Sequence, residues 1–158
     1  MANNDFCVFI LTHGRPDNVI TWKTLQKCNY TGKTYLIVDN EDKTINKYYE
    51  NFGRDSVIVF DKKAMADEID EANNFDNRKV IVHARNVCFK IARELGIKYF
   101  VQFDDDYTTF MYRFENKIGY TPVVKNLDQL FESFLKFYKS TPIKSVAFSQ
   151  GGDHIGGF

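Results

Sequence analysis

Tyr99-Phe100-Val101-Gln102-Phe103-Asp104-Asp105-Asp106-Tyr107 is a short apolar run that delivers three carboxylates at its carboxyl end. Adjacent negative charges repel and raise one another's pKa, so three in succession call for a cation. The apolar part has the length and character of a buried strand. In open α/β sheets, ligands gather in the crevice outside the carboxyl ends of the strands. A D-x-D pair on extended backbone points Asp104 and Asp106 to the same side. Hard cations such as Mg²⁺ are held by one or two carboxylates plus substrate phosphates and water. Asp104 and Asp106 are therefore expected to hold a divalent metal that grips a nucleotide diphosphate. The plainer alternative is a solvated acidic turn.

Working outward, residues 79–95 carry Val80, Ala84, Val87, Cys88, Ile91, Ala92 and Leu95 at helical spacing, with Gly96 in the place of a helix-ending glycine. Phe6 to Leu11 is a continuous apolar run, the pattern of a strand buried on both faces. Further strands are expected over 34–38 and 56–60. A helix is expected from Pro16 or Asn18 to Cys28. Another covers 45–52, capped by Thr44 and ended by Gly53, and a short one covers 62–69. Residues 70–77 are polar and acidic without periodicity. The order β-α-β-α-β-α-α-β predicts an α/β fold: a mainly parallel, doubly wound sheet with helices on both faces. Beyond the carboxylates, 109–114 and 120–124 resemble a pair of β segments, 128–138 an amphipathic helix and 145–149 a last strand. A glycine-rich loop follows to Phe158.

The chain has 158 residues, enough for one domain burying roughly two thirds of its unfolded surface. Twenty-one basic and 21 acidic residues cancel, so the global basic footprint usual in nucleic-acid binders is absent, while a local one stays open. Cys7, Cys28 and Cys88 form no C-x-x-C pair, lie in apolar patterns and read as buried thiols of a reducing compartment. No signal peptide precedes Phe6 and no apolar run nears the ~20 residues of a membrane span, so a cytoplasmic chain is expected, or one in the cytoplasm of a host cell.

The loop Thr12-His13-Gly14-Arg15 leaves the first strand at the same sheet edge as the carboxylates. Gly14 permits close backbone approach, Arg15 could grip phosphate bidentately, and His13 could stack on or hydrogen-bond a base. The alternative is a turn with a surface His and Arg. Neither a G-x-G-x-x-G fingerprint nor a P-loop is present. Asp39-Asn40 ends the second strand, where an acidic side chain commonly accepts from ribose or base. Arg85-Asn86 lies in the helix before the acidic strand; Arg85 could neutralise a diphosphate or pair with Asp104 or Asp105. His83 reads as an ordinary helix residue, and His154 could offer an imidazole to the metal if its loop folds back.

With these residues the chain resembles GT-A glycosyltransferases, nucleotide-sugar enzymes with a Rossmann-like half and a D-x-D metal motif. Four motifs in order narrow the likeness: residues 9–16 (FILTHGRP), 37–42 (IVDNED), 83–86 (HARN) and 102–107 (QFDDDY). Together they resemble the TET/JBP-associated glycosyltransferases of tailed phages and some eukaryotic proteins, over about residues 6–157. That resemblance implies a single GT-A-like domain over 1–158, from whose full pattern the chain is expected to depart at its end, where C-terminal acceptor-binding elements normally lie. It implies Mn²⁺- or Mg²⁺-dependent transfer of a sugar from a UDP-sugar to a hydroxymethylated pyrimidine in DNA. Thr12, His13, Arg15 and Asp39 would cup the nucleoside, Arg85 would face the diphosphate, and Asp104 and Asp106 would bind sugar, ribose or metal. The expected nucleotide-sugar site comprises Thr12, His13, Gly14, Arg15, Asp39, Asn40, Arg85, Asn86, Asp104 and Asp105. The expected metal ligands are Asp104, Asp106 and His154, and Asp153 is the nominee for general base. Two rivals remain: a HAD-type phosphohydrolase built on Asp104-x-Asp106-x-Thr108, with Asp104 as nucleophile, and a non-catalytic nucleotide-sugar-binding module.

Overall fold

The computed structural model describes residues 5–68, 81–112 and 123–149. In chain order its elements are β1 (Phe6–Leu11), α1 (Ile20–Lys27), β2 (Lys33–Asp39), α2 (Ile45–Phe52), a 3₁₀ turn (Arg54–Ser56) and β3 (Val57–Phe60). Then come α3 (Lys62–Asp67), α4 (Val82–Glu94), β4 (Tyr99–Asp104) and α5 (Leu127–Lys139).

The strands form one parallel sheet in the order β3-β2-β1-β4. β1 is buried along its whole length because both of its faces are covered. Phe6, Val8 and Ile10 enter one core with Leu25 of α1, Tyr48 of α2 and Phe131 of α5. Cys7, Phe9 and Leu11 enter the other with Val87, Cys88 and Ile91 of α4. The period-two alternation of a strand thus feeds two cores at once, which is why an unbroken apolar run is needed there. The chain winds β1 to β2 to β3 in one direction, then crosses to the far side of β1 to form β4. Right-handed crossovers running in opposite directions lay their helices on opposite faces. The sheet therefore reverses its strand order between β1 and β4.

Gly96 ends α4 with φ +67°, as a helix-ending glycine does. The three thiols are free and buried. Some expectations need correction. α1 begins at Ile20, later than Pro16 or Asn18, because residues 15–18 close a turn through Asn18 N–H on the Arg15 carbonyl at 3.0 Å. Thr44 precedes α2 but does not cap it with its side chain; its hydroxyl donates to Asp42 Oδ1 instead, at 2.6 Å. Residues 145–149 join no strand. Only Phe148 is inserted, packing on Phe103, Phe110, Phe131 and Phe134, while Val146 is 38% exposed. One aromatic anchor satisfies the segment without a hydrogen-bonded ladder. Of the β pair expected over 109–124, the described residues keep one antiparallel bridge, Met111 to Val123. Residues 113–122, the acidic loop at 70–77 and the glycine-rich tail from Gln150 lie outside the described residues.

Candidate active site

Strand register brings the carboxyl ends together: Leu11 pairs with Ile37 and Asp104, and Asp39 pairs with Phe60. The loops after β1, β2, β3 and β4 consequently share one edge, and the crevice opens at the reversal between β1 and β4. Thr12 to Arg15 leaves β1 there and Asp104 to Asp106 leaves β4, and the two segments meet through Asp105.

The loop after β1 is held at several points. Thr12 Oγ1 donates to Asp105 Oδ2 at 2.7 Å and meets the Tyr48 hydroxyl at 2.9 Å. The Arg15 N–H donates to Tyr48 Oη at 2.9 Å, and Arg15 Nη1 donates to Asp105 Oδ1 at 3.1 Å. Gly14, in the left-handed region at φ +68°, donates its N–H to Asp42 Oδ2 at 2.6 Å. Asp42 also accepts from Thr44 N–H at 2.7 Å. Burial pushes the Asp42 carboxyl upward, but the hydrogen bonds from the Thr44 hydroxyl and from the Gly14 and Thr44 N–H groups outweigh it. Aided by the nearby His13, they hold the carboxyl below the usual carboxylate range.

At the end of β2, the buried Asp39 gives Oδ2 to His13 Nδ1 at 2.7 Å and to Lys62 Nζ at 3.4 Å, and Oδ1 to the Glu41 N–H at 3.2 Å. An ionised carboxylate only accepts, so His13 Nδ1 carries the proton it shares with Asp39. The imidazole is 56% exposed, so His13 rather than Asp39 meets the crevice. On the β4 side, Arg85 Nη2 contacts Asp104 Oδ1 and Oδ2 at 2.9 and 3.2 Å. Gln102 Nε2 braces the Arg85 carbonyl at 2.7 Å. Asp104 is partly exposed and Asp106 exposed, whereas Asp105 is buried. The neighbouring backbone is fixed by Thr21, whose hydroxyl donates to the Asp104 carbonyl at 2.6 Å and accepts from Tyr107 N–H at 2.9 Å.

The structure therefore gathers Thr12, His13, Gly14, Arg15, Asp39, Arg85, Asp104 and Asp105 around one crevice. Asn40 is turned to α3, accepting from Lys62 N–H at 3.1 Å, and Asn86 is half-buried on α4 beside Arg85. His83 is fully buried. Asp153 and His154 lie outside the described residues. The sequence reading missed Asp42, Tyr48, Lys62 and Gln102. Lys62 was findable, since it follows the end of β3 at the same edge. Tyr48 was hidden within an apolar helix stripe, where its hydroxyl had no visible partner.

Among the described residues no group of three or more metal-ligating side chains forms, and no helix is long and apolar enough to cross a membrane. No curated protein and no solved structure matched the chain. A family model does match, and it spans every element that builds the crevice. Through that match over residues 6–158, the chain belongs to the TET-Associated Glycosyltransferase family and is a glycosyltransferase.

Proposed function

We propose that this glycosyltransferase moves a sugar from a UDP-sugar to a hydroxymethylated pyrimidine in DNA with the help of Mn²⁺ or Mg²⁺. The observation that carries the reading is the reversal crevice, with cationic Arg15 and Arg85 and the accessible carboxylates Asp104 and Asp106 at one sheet edge. Arg85 and Arg15 would face the diphosphate, and His13 the nucleoside.

The donor set suits a hard cation. Asp104, on exchanging its Arg85 partner for the ion, and Asp106 would offer carboxylate oxygen only, leaving remaining positions to phosphate and water as Mg²⁺ prefers. When bound, such an ion stabilises charge on the leaving diphosphate as a Lewis acid. In the transfer the acceptor's hydroxymethyl oxygen bonds to the anomeric carbon, and the bond from that carbon to the diphosphate oxygen breaks. The hydroxyl proton passes to a base, for which Asp153 is our nominee. The phosphohydrolase reading needs its acidic motif on the first strand of the fold, whereas Asp104 ends the fourth.

UDP at about a hundred times its Kd, with Mn²⁺, would add about 2.7 kcal/mol, a rise of roughly 5–10 °C in Tm for a chain of this size. Asp104→Asn should erase the Mn²⁺-dependent part. Mass spectrometry of hydroxymethylcytosine and hydroxymethyluracil DNA incubated with a panel of UDP-sugars should then show a hexose-sized gain. No stabilisation by UDP and no mass gain, or hydrolysis of p-nitrophenyl phosphate instead, would overturn the proposal.

A further inference from the structure

The three carboxylates after β4 differ in surroundings. Asp105, the middle one, is only 7% exposed, and both its oxygens are occupied by Thr12 and Arg15. Tyr48, from α2, is wholly buried, yet its hydroxyl meets two groups of the first loop. Donor accounting sets the direction of every bond. An ionised Asp105 only accepts, so the single Thr12 hydroxyl proton is spent on Oδ2. Thr12 Oγ1 must then accept from Tyr48, and Tyr48 Oη must accept from the Arg15 N–H. Arg15 Nη1 closes the circuit on Oδ1. The result is a ring that begins and ends on Arg15, running through its backbone amide, Tyr48, Thr12, Asp105 and back to its guanidinium. Burial, and the charges of Asp42 and Asp105, push the Tyr48 hydroxyl upward despite the Thr12 and Arg15 hydrogen bonds, so it stays a donor.

We infer that Tyr48 and Asp105 are positioning residues: the closed Arg15–Tyr48–Thr12–Asp105 ring fixes the first loop so that Arg15 presents its unspent N–H groups to a diphosphate in the crevice. The Arg15 side chain is 58% exposed, so one nitrogen is anchored while the rest of the fork faces outward. Asp105 is on this account a strut for Arg15 rather than a ligand of sugar or metal. The inference rests on reading the crevice as a diphosphate site, and it adds residues that touch no substrate.

The test combines two readouts on the full chain. Amide exchange reports the ring whether or not any ligand binds; Tyr48→Phe and Thr12→Val should each accelerate exchange at Arg15 while leaving β1 and α4 protected. Titration with inorganic pyrophosphate should show both variants binding about fivefold to tenfold more weakly, since each removes two bonds of one ring and losses within a network do not add fully. Arg15→Ala should weaken binding at least as much. In an Arg15→Ala background Tyr48→Phe should change pyrophosphate affinity no further, because contacting residues that act through one group are non-additive. A purely structural tyrosine would keep its full effect there. Asp105→Asn, which keeps shape and loses charge, guards against a misfolded Tyr48 variant and should also weaken pyrophosphate. Folded ring variants that bind pyrophosphate like wild type, an additive double variant, or a wild type blind to pyrophosphate would overturn the inference. Binding of pyrophosphate but not UDP would overturn the proposed donor and leave the ring standing.

Discussion

Replacing Asp42 by alanine tests how the first loop is stabilised. The side chain is 2% exposed and accepts from Gly14 N–H at 2.6 Å, Thr44 N–H at 2.7 Å and Thr44 Oγ1 at 2.6 Å. The hydroxyl can turn to water, but the Gly14 and Thr44 N–H groups, both part-buried in these bonds, would lose a charged acceptor. Hydrogen bonds to charged groups contribute about 1.5–3 kcal/mol each, and losses within one network do not add fully. A total near 3 kcal/mol is expected. For a chain of this size each kcal/mol moves Tm by about 2–4 °C, so Asp42→Ala should melt roughly 6–12 °C below wild type at pH 7. The pH dependence has a definite sign. The Asp42 carboxyl is depressed in the folded protein relative to the ordinary 3.8. Its contribution is therefore full above that ordinary value and is lost as pH falls through the lower folded value. The gap between variant and wild type should stay constant from pH 7 to about pH 5 and narrow in stronger acid. Urea unfolding at a series of pH values measures this directly. A variant within 1–2 °C of wild type at neutral pH, or a gap that widens in acid, would refute the account.

Three other outcomes follow from the same geometry. Cys7 and Cys88 are buried and their thiols are pushed up to about 12, by desolvation first in both, so native protein should resist iodoacetamide at pH 8 while urea-unfolded protein takes up label at all three cysteines. Phe131 is 1% exposed and packs on Phe6, Tyr30, Phe103 and Phe148, so Phe131→Ala should cost about 3–5 kcal/mol, read by chemical denaturation. Arg85→Ala removes the cation paired with Asp104 and should weaken UDP binding by calorimetry at least tenfold, whereas unchanged affinity would place the diphosphate elsewhere.

Lys62 and Asp105 illustrate two kinds of omission. Lys62 lies on an edge the strand pattern already defined, so reading past the end of β3 would have found its contact with Asp39. Strand alternation set Asp105 apart from Asp104 and Asp106, but no local pattern could say that it meets Thr12 and Arg15, because that depends on which strand lies beside β4.

Periodicity alone determined the alternation of strands and helices, the double burial of β1, the turn at Gly96 and the edge where the motifs would meet. Each of those depends on side chains within a few positions of one another, where spacing and backbone geometry act directly. The tertiary structure alone decided that β4 lies against β1, that Asp105 reaches Thr12 across 93 positions, that Arg85 chooses Asp104 and that 145–149 forms no strand. Those outcomes are competitions among several chemically equivalent partners. They are settled by which groups the folded sheet leaves within hydrogen-bonding distance and which it leaves in water.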